Sequence, residues 1–473
     1  MRKRIFFALF VCLAVALTGQ AAAADGEVRE LTLKECIQLS LQNNTDLAKG
    51  WLDRKLYTLD REIGEQYFAP DLYLYPESDY ETDDEGRWRV KAKATVVQRV
   101  PTGAELRFNW EHGLNYYSKL EGDQDWTSKV SVTLSQPLLR GAGIEVGTAP
   151  MVLSRLDDDY DLYGFEWLVT QRITQIQKRY WDLLLAREKL MVAQDALERS
   201  RQMAEERREN ASDSDMVELE SEVADLELDV NNRLVAETKA NLRLLDVLDL
   251  PGVKRIVPKG RFDFRPVEID IADCLEKAFQ NRPDLKKARV ATTRAALKSK
   301  VAKSNAKPDV DLTVSASSSA TEEDSSKAME VAYSLDDDIV VGMGAEFRFG
   351  VPGRKRDAVA ARYRLIKAEL DLKEREQSVR NDVTTSVYAA TSSLKSIKLA
   401  QRARVLAQKK LDAAMEALML GQGDSLKVLI YQRDFTEARL DEYEAIVSYL
   451  YDLADLDESM GTALSTWQVE VRQ

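Results

Sequence analysis

The sequence predicts a mainly α fold with β segments, in which one unit of helix, strands, long helix, turn and helix occurs twice. Three observations carry this reading. Twenty residues, Leu31–Gly50 (LTLKECIQLSLQNNTDLAKG), recur without a gap 238 positions further on, at Ile269–Ala288 (IDIADCLEKAFQNRPDLKKA). After each copy the hydrophobic pattern shifts from a helical period to alternation, then back again. Two long stretches without proline then step their apolar residues 3-4-3-4, as a coiled-coil seam does.

Identical residues in the two copies fall at Cys36/Cys274, Gln42/Gln280, Asn43/Asn281, Asp46/Asp284, Leu47/Leu285 and Lys49/Lys287. Apolar residues coincide at Leu31/Ile269, Leu33/Ile271, Ile37/Leu275 and Leu41/Phe279. A duplication of this kind has to be read for what its halves build together.

Residues 1–24 read as a secretory signal peptide. Arg2, Lys3 and Arg4 form the positive region, Ile5–Leu17 the apolar one, and Ala22, Ala23 and Ala24 precede a cleavage point at Asp25. The apolar run is too short to span a bilayer as a helix, and Cys12, followed by further apolar residues, is poorly placed for a lipid anchor. The chain holds 67 Lys and Arg against 80 Asp and Glu, a net charge of −13, and cleavage removes three more positive charges. An acidic chain of this kind speaks against nucleic acid as a partner, because phosphate binding needs a basic face. After the signal there is no run of about 20 apolar residues, so only a closed β-barrel could carry the chain through a membrane. Cys36 and Cys274 remain after cleavage; export makes a disulfide between them possible, and a small buried residue on each helix explains both equally well.

In chain order, residues 33–66 read as a helix, with Thr32 and Glu35 forming a capping box and Pro70 ending the stretch. From about 71 to 139 the period is two, as in residues 88–97 (WRVKAKATVV), with Pro101, Thr102 and Gly103 as a turn. Tyr73, Tyr75, Tyr80, Trp88, Trp110, Tyr116, Tyr117 and Trp126 cluster here, as aromatic girdles of membrane barrels do; ordinary β-propensity in a soluble sandwich is the alternative. From about 152 to 249 runs a helical hairpin whose seam is Leu153, Leu156, Tyr160, Tyr163 and Trp167. Its first arm would extend ~85 Å at 1.5 Å per residue. Residues 251–268 form an irregular linker. The order then repeats: a helix over about 270–305, two strands within about 310–349 separated by an acidic, Ser-rich loop, and a hairpin over about 354–461 with the seam Ala358, Ala361, Leu365, Ala368 and Leu372. The repeats thus cover 25–250 and 269–473. The first has room for four strands and the second for two, both even numbers, as a segment needs if it leaves and re-enters on one side of a membrane.

Hairpins this long bury little within one chain, and two or four strands cannot close a barrel whose edges survive in lipid. Both difficulties vanish if several protomers share one β-barrel and one helical cylinder.

At this point the residues resemble a known family. The repeated motif, Gln136–Gly141 (QPLLRG), Phe347–Arg356 (FRFGVPGRKR) and Gly421–Leu429 (GQGDSLKVL) occur in the order found in the TolC-like outer-membrane efflux proteins. The resemblance implies a homotrimer with a transmembrane β-barrel in outer-membrane lipid and an α-barrel in the periplasm. It implies an exit duct for tripartite efflux or type I secretion, partnered by a periplasmic adaptor (membrane fusion) protein and an inner-membrane transporter of RND, ABC or MFS type. It places adaptor docking at the hairpin tips, Asn210, Ser212, Asp213 and Asp215 on one and Gly421, Gly423, Asp424 and Ser425 on the other. Threefold symmetry would make Asp213, Asp215 and Asp424 rings of like charge at a constriction; capped, solvated turns are the plainer reading.

Departures matter. The family usually supplies two strands per half, twelve per trimer, and the additional pair here could enlarge the barrel or lie outside it. Lys427 and Ile430 stand where well-known members carry gating aspartates. Asn210 replaces the usual glycine of the first tip.

Catalysis finds no support, and no cofactor is expected. His112 is the only histidine and reads as part of a strand surface; no metal-ligand cluster, phosphate loop or nucleophile–base pair is recognisable. The acidic runs at Asp157–Asp159 and Asp336–Asp338 read as solvated faces, the second with a possible calcium role. A periplasmic coiled-coil scaffold is the alternative function; a simple porin would need many strands and no such helices.

Overall fold

The computed structural model describes residues 27–81, 86–117, 123–207, 213–260, 262, 264–334, 340–348, 353–420, 422 and 425–471; for 206–207, 213–215, 340–348 and 425–426 it describes the main chain alone. The elements of the first repeat are β1 (Glu27–Leu31), α1 (Leu33–Asn43), α2 (Thr45–Glu65), β2 (Asp71–Glu81), β3 (Arg87–Arg99), β4 (Glu105–Tyr117), β5 (Asp123–Pro137), the short α3 (Ile144–Gly147), α4 (Ala149–Arg207) and α5 (Asp213–Leu248). After β6 (Val253–Pro258) the second repeat adds α6 (Ile271–Asn281), α7 (Pro283–Asn305), β7 (Asp309–Glu322), α8 (Ser325–Ser334), β8 (Val340–Arg348), α9 (Arg354–Met419), α10 (Ser425–Met460) and α11 (Ala463–Thr466). Among the described residues no helix is long and apolar enough to cross a membrane.

Contacts divide the chain into two units. The first takes the described residues up to Asn44, Gln175–Arg265 and Ser393–Tyr451; the second takes Thr45–Thr174, Pro266–Ser392 and the described residues from Asp452 on. Each unit therefore draws on both repeats, and α4 and α9 contribute to both.

In the first unit, β1 and β6 pair in parallel, from Glu27↔Val253 to Leu31↔Pro258. The segment read as irregular linker thus contains a strand, because its partner lies more than two hundred residues upstream. Asn241 replaces a third strand: its side chain accepts from the Ile256 N–H at 2.9 Å and donates to the Lys254 carbonyl at 3.2 Å. The capping box at α1 is present, with the Thr32 N–H donating to Glu35 at 2.7 Å and the Glu35 N–H to Thr32 Oγ1 at 3.3 Å. Cys36, Ile37 and Ser40 are buried, and the Ser40 hydroxyl donates to the Val247 carbonyl at 3.0 Å. Tyr180, fully buried, donates to the Lys259 carbonyl at 2.9 Å.

The helix expected over 33–66 is broken at Asn44, and the one expected over 270–305 is broken at the equivalent Arg282. Both residues are extended (φ −65°, ψ 121° and φ −60°, ψ 116°) and cap the preceding helix through their own N–H. Pro283 explains the second break, since proline disfavours α conformation in the residue before it. The first is held by Asn44, whose amide donates to the Val247 carbonyl at 3.1 Å.

The second unit holds a six-stranded antiparallel sheet in the order β2-β3-β4-β5-β7-β8. Four strands come from the first repeat and two from the second, as expected. Its helical core gathers Cys274, Ala278 and Leu285 with Val379, Val383, Val387 and Leu456. Cys274, Ala278 and Leu285 are the repeat counterparts of Cys36, Ser40 and Leu47, all buried as well. Both cysteines are free thiols.

The loop expected between β7 and β8 contains α8. Asp324 caps it, accepting from the N–H groups of Ser326 (2.9 Å) and Lys327 (3.1 Å). Ala328 and Ala332 are buried where α8 packs on β5 and β7.

Candidate functional site

Strict register gives the sheet two faces of opposite chemistry. One row runs Leu74↔Ala94↔Trp110↔Val130, the next Leu72↔Val96↔Phe108↔Val132↔Ala316. On this face Leu72, Leu74, Trp88, Val90, Leu106, Phe108, Val132, Leu134 and Val314 are exposed to solvent, Leu74 by 68%. Toward one end Tyr80, Trp88 and Tyr116 lie in one row across three strands, the first two rings 4.7 Å apart. An apolar band edged by amphipathic aromatics is the pattern that faces lipid in a membrane barrel.

The opposite face is charged. Its rows run Glu77↔Lys91, Asp79↔Arg89 and Lys93↔Glu111↔Lys129. Arg89 binds Asp79 at 2.9 Å and Glu81 at 2.7 Å, and Lys91 reaches Glu111 at 3.4 Å. Tyr73 and Tyr75 stack on this face of the edge strand β2. Both signs are interleaved, so the face is wettable and carries no single sign of charge.

His112 belongs to the apolar face. Its ring stacks between Trp110 and Trp126, at centroid distances of 6.1 and 5.3 Å, and its Nε2 lies 3.0 Å from Ser325 Oγ of α8. This is a packed surface histidine, as its sequence setting suggested. Small residues Ser128, Ser318 and Ala320 make room for α8 here.

At the opposite end of the strands, the two motifs that carried the family resemblance meet on one carboxylate. Asp309, at the start of β7, accepts from Arg140 of the QPLLRG turn and from Arg354 at the start of α9, each at 3.0 Å. The turn joining β3 to β4 is locked into the same loop. Thr102 Oγ1 donates to Gln136 Oε1 at 3.0 Å, and the Gly143 N–H donates to the Thr102 carbonyl at 3.1 Å. Gly103 has φ +89°, and a Cβ there would strike the Gly141 carbonyl; a Cβ on Gly147 would strike that of Pro101. The sequence marked Pro101–Gly103 as a turn and placed Arg140 and Arg354 in family motifs, but singled out neither Asp309 nor Gly147, since none of these residues reveals its partner.

Ion pairs buried among the helices of the second unit also escaped the sequence. Asp158, read as part of a solvated run, is buried and paired with Arg54 and with Arg61 at 3.1 Å. Its neighbour Asp157 pairs with Arg294. Asp157 and Asp158 are therefore not part of a solvated face: their arginine partners come from Arg54, Arg61 and Arg294, far away in sequence. Arg282 binds Asp284 at 2.9 Å and Asp382 at 2.6 Å, with its guanidinium 5.3 Å from the centre of the Trp167 ring. Tyr160, of the expected seam, lies beneath Lys287 and Arg294.

Of the residues expected at the tips, Asn210, Ser212, Gly421, Gly423 and Asp424 lie outside the described residues, as do Asp336–Asp338. Asp213 and Asp215 stand in the first turn of α5 and Ser425 begins α10, described by main chain alone. Ile430 is exposed on α10 and so is Lys427. Among the described residues no group of three or more His, Cys, Asp or Glu side chains is placed to hold a metal ion.

Long helical hairpins joined to a two-faced antiparallel sheet define the fold class of the outer-membrane efflux channels. Residues 274–462 match the family described as outer membrane efflux protein, so the second repeat carries that family's domain and the resemblance read from the motifs is borne out. In fold, the chain is similar to the Campylobacter jejuni CmeC outer membrane channel (TM-score 0.65, 13% identity, 91% of this chain and 86% of that one). It is likewise similar to the Neisseria gonorrhoeae MtrE outer membrane channel in its open state (0.64, 15%, 91% and 89%). A third such structure is the outer membrane protein VceC from Vibrio cholerae (0.63, 13%, 91% and 96%). No curated protein matches the sequence. The fold is that of outer-membrane channels.

Proposed function

We propose that this chain is the exit duct of a tripartite efflux or type I secretion system, conducting cargo passively from an inner-membrane pump across the periplasm and outer membrane. One observation carries the reading: a sheet whose exposed face is an aromatic-edged apolar band and whose other face is charged. A soluble scaffold has no use for that apolar face, whereas a barrel wall between lipid and water requires both.

In this reading residues 1–24 direct export, 25–250 and 269–473 are the two efflux repeats, and 251–268 joins them. Three copies form the duct, giving six quasi-equivalent hairpins. The hairpin tips, Asn210, Ser212, Asp213 and Asp215 with Gly421, Gly423, Asp424 and Ser425, dock a periplasmic adaptor that links the duct to an RND, ABC or MFS transporter. Opening is a splaying of packed hairpins, a shear between two arrangements, and the pump supplies the energy.

The test is fractionation followed by bilayer recording. Heat-sensitive trimers in the outer membrane that form ion-conducting pores support the duct. Release of a pore-less protein by osmotic shock would instead establish the periplasmic scaffold.

A further inference from the structure

Resting on that reading, we infer that the inserted β3–β4 hairpin is part of the membrane wall, so that three copies close an 18-stranded barrel by pairing β8 of one copy with β2 of the next. Four observations converge on it. First, β3 and β4 are not appended to the sheet but lie inside it, between β2 and β5, with β4 paired over its whole length on both sides and β3 paired to β2 over Arg87–Val97. Their turn is keyed into the loop that follows β5 by Thr102, Gly103 and Gly147. Removing the pair from the wall would break two ladders and that lock together.

Second, the free edges match. Six strands in continuous antiparallel order leave β2 and β8 running oppositely, so the edge of one copy fits that of its neighbour as one more antiparallel ladder. An edge left open in lipid would leave its N–H and C=O groups unpaired.

Third, the helix joined to each edge strand carries an unpartnered heptad stripe. On α2, which leads to β2, Leu52, Leu56, Leu59 and Ile63 step 4-3-4 and are exposed. On α9, which follows β8, Val359, Tyr363, Ile366 and Leu370 do the same. The stripes are of equal length, and the chain direction makes them antiparallel where copies meet. Two different, complementary surfaces on one chain build a ring.

Fourth, their flanks are complementary in charge. Exposed Asp53, Asp60 and Glu62, against Lys49, flank the α2 stripe, and exposed Lys355, Arg356, Arg362 and Lys367, against Glu369, flank the α9 stripe.

With strands about 4.8 Å apart and tilted about 40°, 18 strands give a backbone radius of about 18 Å, against about 12 Å for the 12 strands that four per copy would give. The bore is roughly twice as large in cross-section, suited to bulky cargo.

Paired cysteines in the full-length protein test this, on a background with Cys36→Ala and Cys274→Ala. Leu74→Cys is combined in turn with Val341→Cys, Met343→Cys and Ala345→Cys, β8 positions whose β7 partners lie in the apolar-face rows. Within one copy β2 and β8 are five strand spacings apart, about 24 Å, far beyond disulfide reach. Oxidation is expected to yield covalent dimers and trimers with at least one pair. The control pair Leu74→Cys with Val130→Cys, three spacings or about 14 Å apart, is expected to stay reduced. A membrane trimer that forms the Leu74–Val130 disulfide, or none of the β2–β8 links, overturns the 18-stranded wall while leaving the duct intact. A soluble monomer overturns both.

Discussion

Asp158 shows how a single buried carboxylate ties the helices of the second unit together. It sits beside Arg54, with both side chains 3% exposed, and also binds Arg61. Removing one member of such a pair leaves a charge without compensation in a low-dielectric site, which costs about 3–5 kcal/mol. Asp158→Leu, which leaves the buried Arg54 without a counter-charge, is therefore expected to lower the denaturation midpoint strongly, and the double variant Arg54→Met with Asp158→Leu to recover most of it. Equal losses in the single and double variants would show that Asp158 matters only through its packing. Nearby Asp161 behaves oppositely. Burial, only partly offset by Arg54 and Lys287, holds its carboxyl above the usual carboxylate range. A carboxyl raised in the folded state favours folding below its ordinary pKa and loses that contribution as pH rises through the raised value. Asp161→Asn is accordingly expected to melt higher at neutral pH and to gain less on mild acidification, as thermal unfolding at two pH values would report. Burial likewise pushes the Cys36 thiol up to about 12, leaving it unreactive in the folded protein. None of these pairings was visible in the sequence, because a run of aspartates on a long helix reads as a solvated face until its partners arrive from elsewhere.

Among elements, those set by local chemistry were legible and those set by remote partners were not. The capping box at Thr32, the strands from Asp71 to Pro137 and the ends of the long helices follow from residues adjacent in the chain. The seam on α9 was legible too: Ala358, Ala361, Leu365, Ala368 and Leu372 are the more sheltered positions of a mostly exposed helix. The strand β6 exists because β1 pairs with it, and the break at Asn44 because the Val247 carbonyl holds the side chain. The β3–β4 turn combines both kinds of information. Its glycine was read as a turn former, yet the demand at Gly103 comes equally from φ +89° and from the Gly141 carbonyl. Gly103→Ala is expected to destabilise the native state by about 1–3 kcal/mol from the backbone conformation alone. The heat-dissociation temperature of the proposed trimer is the measurement, and an unchanged temperature would mean that the turn carries no strain.

For the whole molecule, the proposed assembly rests on the exposed stripes of α2 and α9. Charge placed in the first, by Leu56→Glu and Leu59→Glu together, is expected to abolish trimers while leaving the helix content of the monomer unchanged in circular dichroism. Persistence of trimers would move the subunit contact elsewhere. If the proposed tips ring the pore of the proposed duct, Asp213→Asn, Asp215→Asn and Asp424→Asn are expected to lower cation selectivity in single-channel recording. Unchanged selectivity in all three would leave them as helix caps. Sequence by itself determined the duplication, the mainly α class, the four-plus-two strand count and the resemblance to the efflux-protein family, because hydrophobic period and motif order are written in neighbouring residues. Only tertiary structure decided that all six strands form one sheet, that its faces segregate lipid-like from wettable chemistry, and that Asp309 and Asp158 are held by arginines from other segments. Each of these depends on register or contact between residues far apart in the chain, and no local pattern encodes it.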